Sequence, residues 1–259
     1  MRQKKTPETP AQQLSSSTLP SAPSAAQILG ALEKLAKPSD AATAQCFFKT
    51  GPGQYGEGDV FMGVRMPVLR KLVRDTAAPI LAELERLLAD PRHEARMCAL
   101  LFLCKRYAAA AKTGDTATRK EVFDFYLAHT SRINNWDLVD VSCGGVVGEH
   151  LLGEADRSVL GRLAESENLW EQRIAIVSTW AFIRRDQFGD TLALAERLLA
   201  HKHDLMHKAT GWMLREVGKR DRTVLEAFLA KHCRAMPRTA LRYALEHFTE
   251  TQRKKYMTR

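Results

Sequence analysis

A tryptophan and an aspartate stand one helical turn apart in the segment 134–140, at the start of a predicted apolar helix. At helical spacing Trp136 and Asp140 share a face, and Leu138 and Val139 between them are apolar. An ionised carboxylate is costly in such a setting unless a cation or a hydrogen-bond donor meets it. Asp140 is therefore either one half of a structural ion pair or a group held ready for chemistry.

Arg173 raises the same question on a second predicted helix, which begins near Asn168. Apolar residues such as Trp170, Ile174 and Val177 flank it, so its own helix face partly encloses the guanidinium. An arginine in that position requires a carboxylate or a phosphate. Asp140 is a candidate partner, and that pair could be purely structural.

A third aromatic residue, Trp212, falls in a stripe with three cations on a predicted helix. Lys208, Arg215 and Lys219 share that stripe at helical spacing. An apolar ring among cations suits the sugar and phosphate of DNA, because it combines a flat contact face with charge attraction. The alternative is a tryptophan at the edge of the core that is covered by lysine stems.

Two histidines at i and i+4, His203 and His207, could suggest zinc. The residue between them that would match a metalloprotease glutamate is Asp204, which is better explained as a helix cap, and a third ligand is missing. We therefore expect no metal and no cofactor.

The net charge of +9 is distributed unevenly along the chain. Residues 201–259 hold fourteen Lys and Arg against six Asp and Glu, whereas the rest of the chain is nearly neutral. Such a local surplus indicates a polyanionic partner, and nucleic acid is the favoured one. A solvated basic surface or adhesion to acidic lipid remains an alternative.

The composition is that of a globular protein in a reducing compartment. Of 259 residues 45% are apolar, enough for one large domain or two small ones. The five cysteines are scattered without a CxxC pair, so neither a disulfide framework nor a zinc ribbon is expected. The chain shows neither an apolar run long enough for a membrane span nor a signal-peptide core. A cytoplasmic protein is the expectation.

Helical periodicity dominates from residue 25 to residue 259, after a polar, proline-containing stretch at 1–24 that predicts a disordered tail. Predicted helices recur in pairs about every 35–45 residues, as in HEAT-like α-solenoids. The fold class is therefore all-α, and an ordinary helical bundle is the alternative. The predicted segments are 28–35, 80–88, 95–107, 119–127, 136–152, 169–183, 192–199, 205–217, 224–228 and 239–248.

One segment, 49–59, is too rich in glycine for a helix and predicts a long loop. It lacks the Gly-Lys-Ser/Thr end of a phosphate-binding loop. We interpret it either as an idle connector or as a mobile functional loop whose Tyr55 orders against DNA.

Three motifs in order, 136–140, 168–173 and 208–216, resemble the HEAT-like-repeat DNA alkylation-repair glycosylases of the AlkD type. The segment 66–71 resembles a fourth, weaker motif, and the likeness runs from about residue 41 to the end. The resemblance implies a curved solenoid whose concave basic face grips duplex DNA. It also implies hydrolysis of the N-glycosidic bond of cationic N3- and N7-alkylated purines without base flipping.

The functional residues of the family can be assigned to individual positions of this sequence. The resemblance makes Trp136, Asp140, Arg173 and Trp212 the catalytic and cradle residues. The DNA-binding residues are then Arg70, Lys71, Lys208, Arg215 and Lys219. The expected partner is double-stranded DNA containing alkylated bases, bound by a monomer that associates with the nucleoid.

The chain also departs from the family pattern. An aromatic hydroxyl expected near the first helices is replaced by Phe47 or Phe48, the loop at 51–58 resembles an insertion, and Met66 stands where a threonine contact would fall. Because some relatives of this fold bind DNA without cleaving it, a non-catalytic module for damaged or branched DNA is the second hypothesis. A protein-interaction solenoid is the third.

Overall fold

The structure is a computed structural model that describes residues 22–258, and this part of the chain is all-α. Between residues 22 and 258 it holds no β-strand, only an isolated bridge between Val60 and Arg92. The helices are α1 (Ala25–Leu35), α2 (Pro38–Phe47), α3 (Met66–Asp75), α4 (Leu81–Ala89), α5 (His93–Thr113), α6 (Thr116–Ala128), α7 (Trp136–Cys143), α8 (Glu149–Leu151), α9 (Ser158–Glu165), α10 (Leu169–Ser178), α11 (Trp180–Ile183), α12 (Gly189–Arg197), α13 (Asp204–Arg220), α14 (Arg222–His232), α15 (Arg238–Ala244) and α16 (Glu250–Met257).

Polar side chains at the helix starts explain several of these boundaries. Ser24 and Gln27 form a capping box at the start of α1. Asn168 and Asp221 cap α10 and α14, because each side chain accepts a hydrogen bond from a first-turn backbone N–H. The cap predicted at Asp204 is wrong: His203 fills that role for α13, its Nδ1 accepting from the Leu205 N–H at 3.2 Å.

The helix predicted at 136–152 is interrupted by a π-helical turn, Gly144–Gly148, between α7 and α8. At Gly148 the backbone passes close to Ser178 and Ala181. Only glycine fits there, because a Cβ would collide with the Ser178 carbonyl oxygen and the Ala181 side chain. Periodicity alone does not show such an interruption, because the apolar residues continue through it.

The helices stack in chain order. Helix α5 packs between α4 and α7, α7 packs on α10, α10 on α13, and α13 on α14 and α15. One continuous core runs through these contacts, with fully buried residues from each layer such as Leu100, Val139, Ile176 and Met213. The prediction of an all-α, solenoid-like fold is confirmed. The concave basic face stays a prediction.

Residues 1–21 of the predicted disordered tail lie outside the described part of the chain. No helix between residues 22 and 258 combines the length and apolar character of a membrane span.

Candidate active site

A cleft of about 750 Å³ lies across helices α7, α10 and α13. It brings together residues that are up to 196 positions apart in the chain, as the interval from Phe47 to Tyr243 shows. The four predicted catalytic residues and two of the predicted DNA contacts line it: Trp136, Asp140, Arg173, Lys208, Trp212 and Arg215.

Asp140 and Arg173 form a bidentate ion pair at the base of this cleft. Arg173 donates from Nε to Oδ1 and from Nη2 to Oδ2, both at 2.8 Å. Its third nitrogen, Nη1, donates to the Leu205 carbonyl at 2.6 Å, which fixes the guanidinium between α7 and α13. The pairing predicted from the sequence is therefore present.

The carboxylate of Asp140 is largely but not completely buried, with 16% of its side chain exposed. Burial raises the pKa of Asp140 above its ordinary value, and the Arg173 guanidinium opposes that rise. A carboxylate oxygen has two lone-pair directions, so the arginine leaves accepting capacity on each oxygen. Asp140 can thus hold a water molecule or face a cation while Arg173 keeps it in place.

Trp136 is held by aromatic residues that come before α3 in the chain. Phe48 stacks on its ring at 5.4 Å between centroids, and Phe47 meets it edge-on at 6.1 Å. The indole Nε1 donates to the hydroxyl of Tyr55 at 3.3 Å. The face of Trp136 therefore has a defined orientation before any substrate enters.

Tyr55 is a cleft residue that was not among the predicted site residues. Its loop folds over α7, its ring meets Trp170 edge-on at 6.2 Å, and it lines the cleft. The sequence has Phe47 or Phe48 where the family resemblance implies an aromatic hydroxyl. The hydroxyl of Tyr55, which the loop places in the cleft, offsets that absence. The useful signal was a single tyrosine among four glycines in 51–58.

The two predicted DNA-binding cations of the cleft already have carboxylate partners. Lys208 pairs with Asp204 at 2.8 Å, and Arg215 pairs with Glu216 at 3.1 Å and also with Glu246. The Lys208–Asp204 pair is exposed, so it contributes roughly 0–1 kcal/mol and is screened by salt. Arg215 is half-buried, but its partner Glu246 is exposed, so a phosphate can replace that carboxylate. The charge of this wall is therefore available to a polyanion.

The other three predicted DNA contacts lie outside the cleft lining. Arg70 and Lys71 are exposed on α3, and Lys71 pairs with Asp75 at 2.6 Å. Lys219 lies one turn beyond Arg215 on α13 and pairs with Glu216 at 2.9 Å. These three residues can contact only a ligand that extends beyond the cleft.

The histidines near the start of α13 have structural partners. His203 caps that helix, and the Nε2 of His207 hydrogen-bonds with the His201 carbonyl. Throughout residues 22–258, no group of three or more His, Cys, Asp or Glu side chains is arranged to hold a metal ion.

Comparison with known proteins identifies the family. The family model for DNA alkylation repair enzymes matches residues 28–248. The chain belongs to this family. The solved structure of a predicted DNA alkylation repair enzyme from Enterococcus faecalis has the same fold, with a TM-score of 0.63 and 15% identity over 83% of this chain and 97% of that one. No curated protein matches this member of the DNA alkylation repair enzyme family.

Proposed function

We propose that this protein is a DNA N-glycosylase that releases cationic N3- and N7-alkylated purines from double-stranded DNA without flipping the base. The observation that carries the proposal is the Asp140 carboxylate, paired with Arg173 and open to a cleft that Trp136 and Trp212 also line. We further propose that it acts as a monomer without metal or cofactor, in the cytoplasm and on the nucleoid.

The reaction needs little besides electrostatic stabilisation. An alkylated purine already carries a positive charge, so the N-glycosidic bond can break with its electron pair moving onto the purine ring, without a general acid. The purine leaves as a neutral base, the sugar becomes oxocarbenium-like, water adds at C1′, and the added water passes its proton to the solvent. One fixed carboxylate serves this sequence, because it stabilises the sugar cation and orients the water.

The two cleft tryptophans suit the sugar. The face of an indole attracts a cation, and Trp136 and Trp212 come from different helices, α7 and α13, into the same cleft. This arrangement offers aromatic contact and one carboxylate for a deoxyribose that develops positive charge. A deoxyribose held at the cleft also allows the base to stay stacked, in contrast to enzymes that extrude a nucleotide into a pocket.

DNA binding is assigned to the cations around the cleft. Lys208 and Arg215 would exchange their carboxylate partners for phosphates of the damaged strand, and Lys219 would contact the next phosphate along α13. Arg70 and Lys71 on α3 would contact the duplex farther away. Such contacts position the DNA without reading its sequence.

The decisive experiment is direct. The purified protein is incubated with methylated duplex DNA, and released bases are separated by chromatography. We expect the unchanged chain to release methylated purines. An equal amount of Asp190→Asn protein serves as the control and should also release them. Asp190 belongs to an Arg157–Asp190 ion pair that does not line the cleft. A complete absence of released base would refute the glycosylase proposal.

One observation favours a second candidate, a non-catalytic protein that binds damaged or branched DNA. Both oxygens of Asp140 already accept hydrogen bonds from Arg173, as they would in a purely structural pair. This candidate predicts tight, salt-dependent binding to damaged or branched duplexes together with no base release. The same incubation, combined with a binding titration, separates the two functions.

A further inference from the structure

A buried network of charged side chains lies beneath the N-terminus of α7. His93, at the start of α5, is only 3% exposed and has both ring nitrogens occupied by carboxylates. Its Nδ1 lies 3.1 Å from Asp59, at the end of the 49–59 loop, and its Nε2 lies 2.9 Å from Asp137 of α7. Two acceptors of this kind favour the doubly protonated ring.

The same network holds the residues that precede Trp136. Asp59 also accepts from the Asn135 side-chain amide at 2.9 Å and from Arg96, which in turn contacts the Asn134 side chain. Asn135 is fully buried, and its Oδ1 accepts from the backbone N–H of Trp136 at 2.8 Å. Residues on both sides of Trp136 are therefore fixed by one set of buried hydrogen bonds.

A set of contacting aromatic rings, the ring column, links His93 to Trp136 by a second route. His93 stacks on Phe61 at 4.4 Å between centroids, Phe61 stacks on Phe48 at 4.9 Å, and Phe48 stacks on Trp136 at 5.4 Å. His93 also contacts Phe48 directly, at 5.2 Å and with an interplanar angle of 37°. Because Phe48 touches both His93 and Trp136, a change at the His93 ring can displace the Trp136 indole through one intervening ring.

We propose that His93 is a positioning residue: as a cation clamped between Asp59 and Asp137, it sets the orientation of the Trp136 indole in the cleft. His93 does not line the cleft itself. Its effect therefore reaches the site through α7 and the ring column. This inference rests on the proposed function for its kinetic consequence, but its geometric content concerns Trp136 alone.

The positioning role makes a prediction that separates catalysis from binding. His93→Gln removes the cation and the first ring of the column but alters no side chain of the cleft wall. We expect base release in single turnover to slow by between about tenfold and a hundredfold, because small misplacements of site groups have effects of that size. The Kd for unmodified duplex should stay within about twofold, because the phosphate contacts are unchanged.

The direct readout is the fluorescence of Trp136, obtained as the difference between each protein and its Trp136→Phe counterpart. In His93→Gln this difference spectrum should change. The matched control is His150→Gln, because His150 also stacks on a phenylalanine, Phe123, at 4.1 Å but belongs to neither the network nor the column. The control should keep the native spectrum and the native rate.

Titration of His93 supplies a second signature. Burial opposes its charge, yet the hydrogen bonds with Asp137 and Asp59 raise the pKa of His93 to about 9. The Trp136 difference spectrum should therefore change as the pH rises through about 9, and this change should be absent in His93→Gln. Asp59 and Asp137 face the His93 ring, and Arg96 pairs with Asp59. A cavity beside the ring is lined by three further charged groups: Glu94, Asp40 and Arg65.

A milder variant keeps the proposal testable if His93→Gln does not fold. Asp137→Asn retains an acceptor for His93 but removes a negative charge, so the alkaline midpoint of the Trp136 signal should move to lower pH. An unchanged midpoint would contradict the proposal, as would native fluorescence and a native rate in His93→Gln. If no protein releases base, the proposed function fails while the fluorescence measurements still decide the position of Trp136.

Discussion

Asp140→Asn is the substitution that tests the chemistry most directly. The asparagine has the size of the aspartate, and its amide oxygen can still accept one of the two hydrogen bonds from Arg173. The Arg173 contact with the Leu205 carbonyl, at 2.6 Å, does not involve residue 140 and should remain. We therefore expect the fold to be retained and DNA binding not to weaken, since a negative charge leaves the cleft.

The size of the kinetic effect follows from the movement of charge. If positive charge shifts from purine to sugar, from about 7 Å to about 4 Å from the carboxylate, its Coulomb energy improves by about 1.8 kcal/mol at an effective dielectric constant of about 20. Loss of that gain corresponds to about a twentyfold slower reaction. Arg173 is present in both proteins, so its repulsion of the sugar cancels in the comparison.

The assay is single-turnover release of a methylated purine from a defined duplex with saturating protein. Asp190→Asn is the control, because it also removes a carboxylate from an interhelical arginine pair, at 2.7 Å from Arg157. The control should react at the native rate. Equal rates for Asp140→Asn and the unchanged chain would refute the electrostatic role of this carboxylate.

Three further predictions concern pH, salt and the loop. Since burial raises the pKa of Asp140, falling pH should protonate it and stop base release at a higher pH than an ordinary aspartate would, and Asp140→Asn should lack this acid limb in the rate–pH profile. Arg215→Ala and Lys219→Ala should each flatten the log–log dependence of duplex affinity on salt by about one unit, and titrations at several salt concentrations will show whether either slope stays native. Tyr55→Phe removes the acceptor for the Trp136 indole; a lost neutral hydrogen bond of about 1 kcal/mol should slow base release about fivefold in single turnover, whereas a native rate would leave the hydroxyl without a role.

Much of the site could be predicted because its side chains have unusual neighbours in the sequence. Asp140 and Arg173 each interrupt an apolar helical face, and such residues need each other or a ligand. Trp212 stands out for the opposite reason, as a large ring among cations. The pair at 2.8 Å and the common cleft agree with those expectations.

The position of Tyr55 could not be predicted in the same way. It lies in a loop with four glycines, where neither periodicity nor caps restrict the backbone. Its contact with Trp136 spans 81 residues, so it depends on how the loop is anchored at Asp59. That anchor in turn requires His93 and Asn135 from two further segments.

The sequence by itself determined the helical class, the caps at Asn168 and Asp221, and the residues able to carry charge in an apolar setting, because these depend on side chains a few positions apart. Only the tertiary structure decided that His203 rather than Asp204 caps α13, that α7 ends in a π-helical turn, and that a buried histidine connects the loop to Trp136. The physical reason is packing. Where segments pack as closely as they do at Gly148 and Ser178, the packing determines the backbone geometry and the ion pairs between segments that are distant in the sequence. Local propensity contains no information about the distances between such segments.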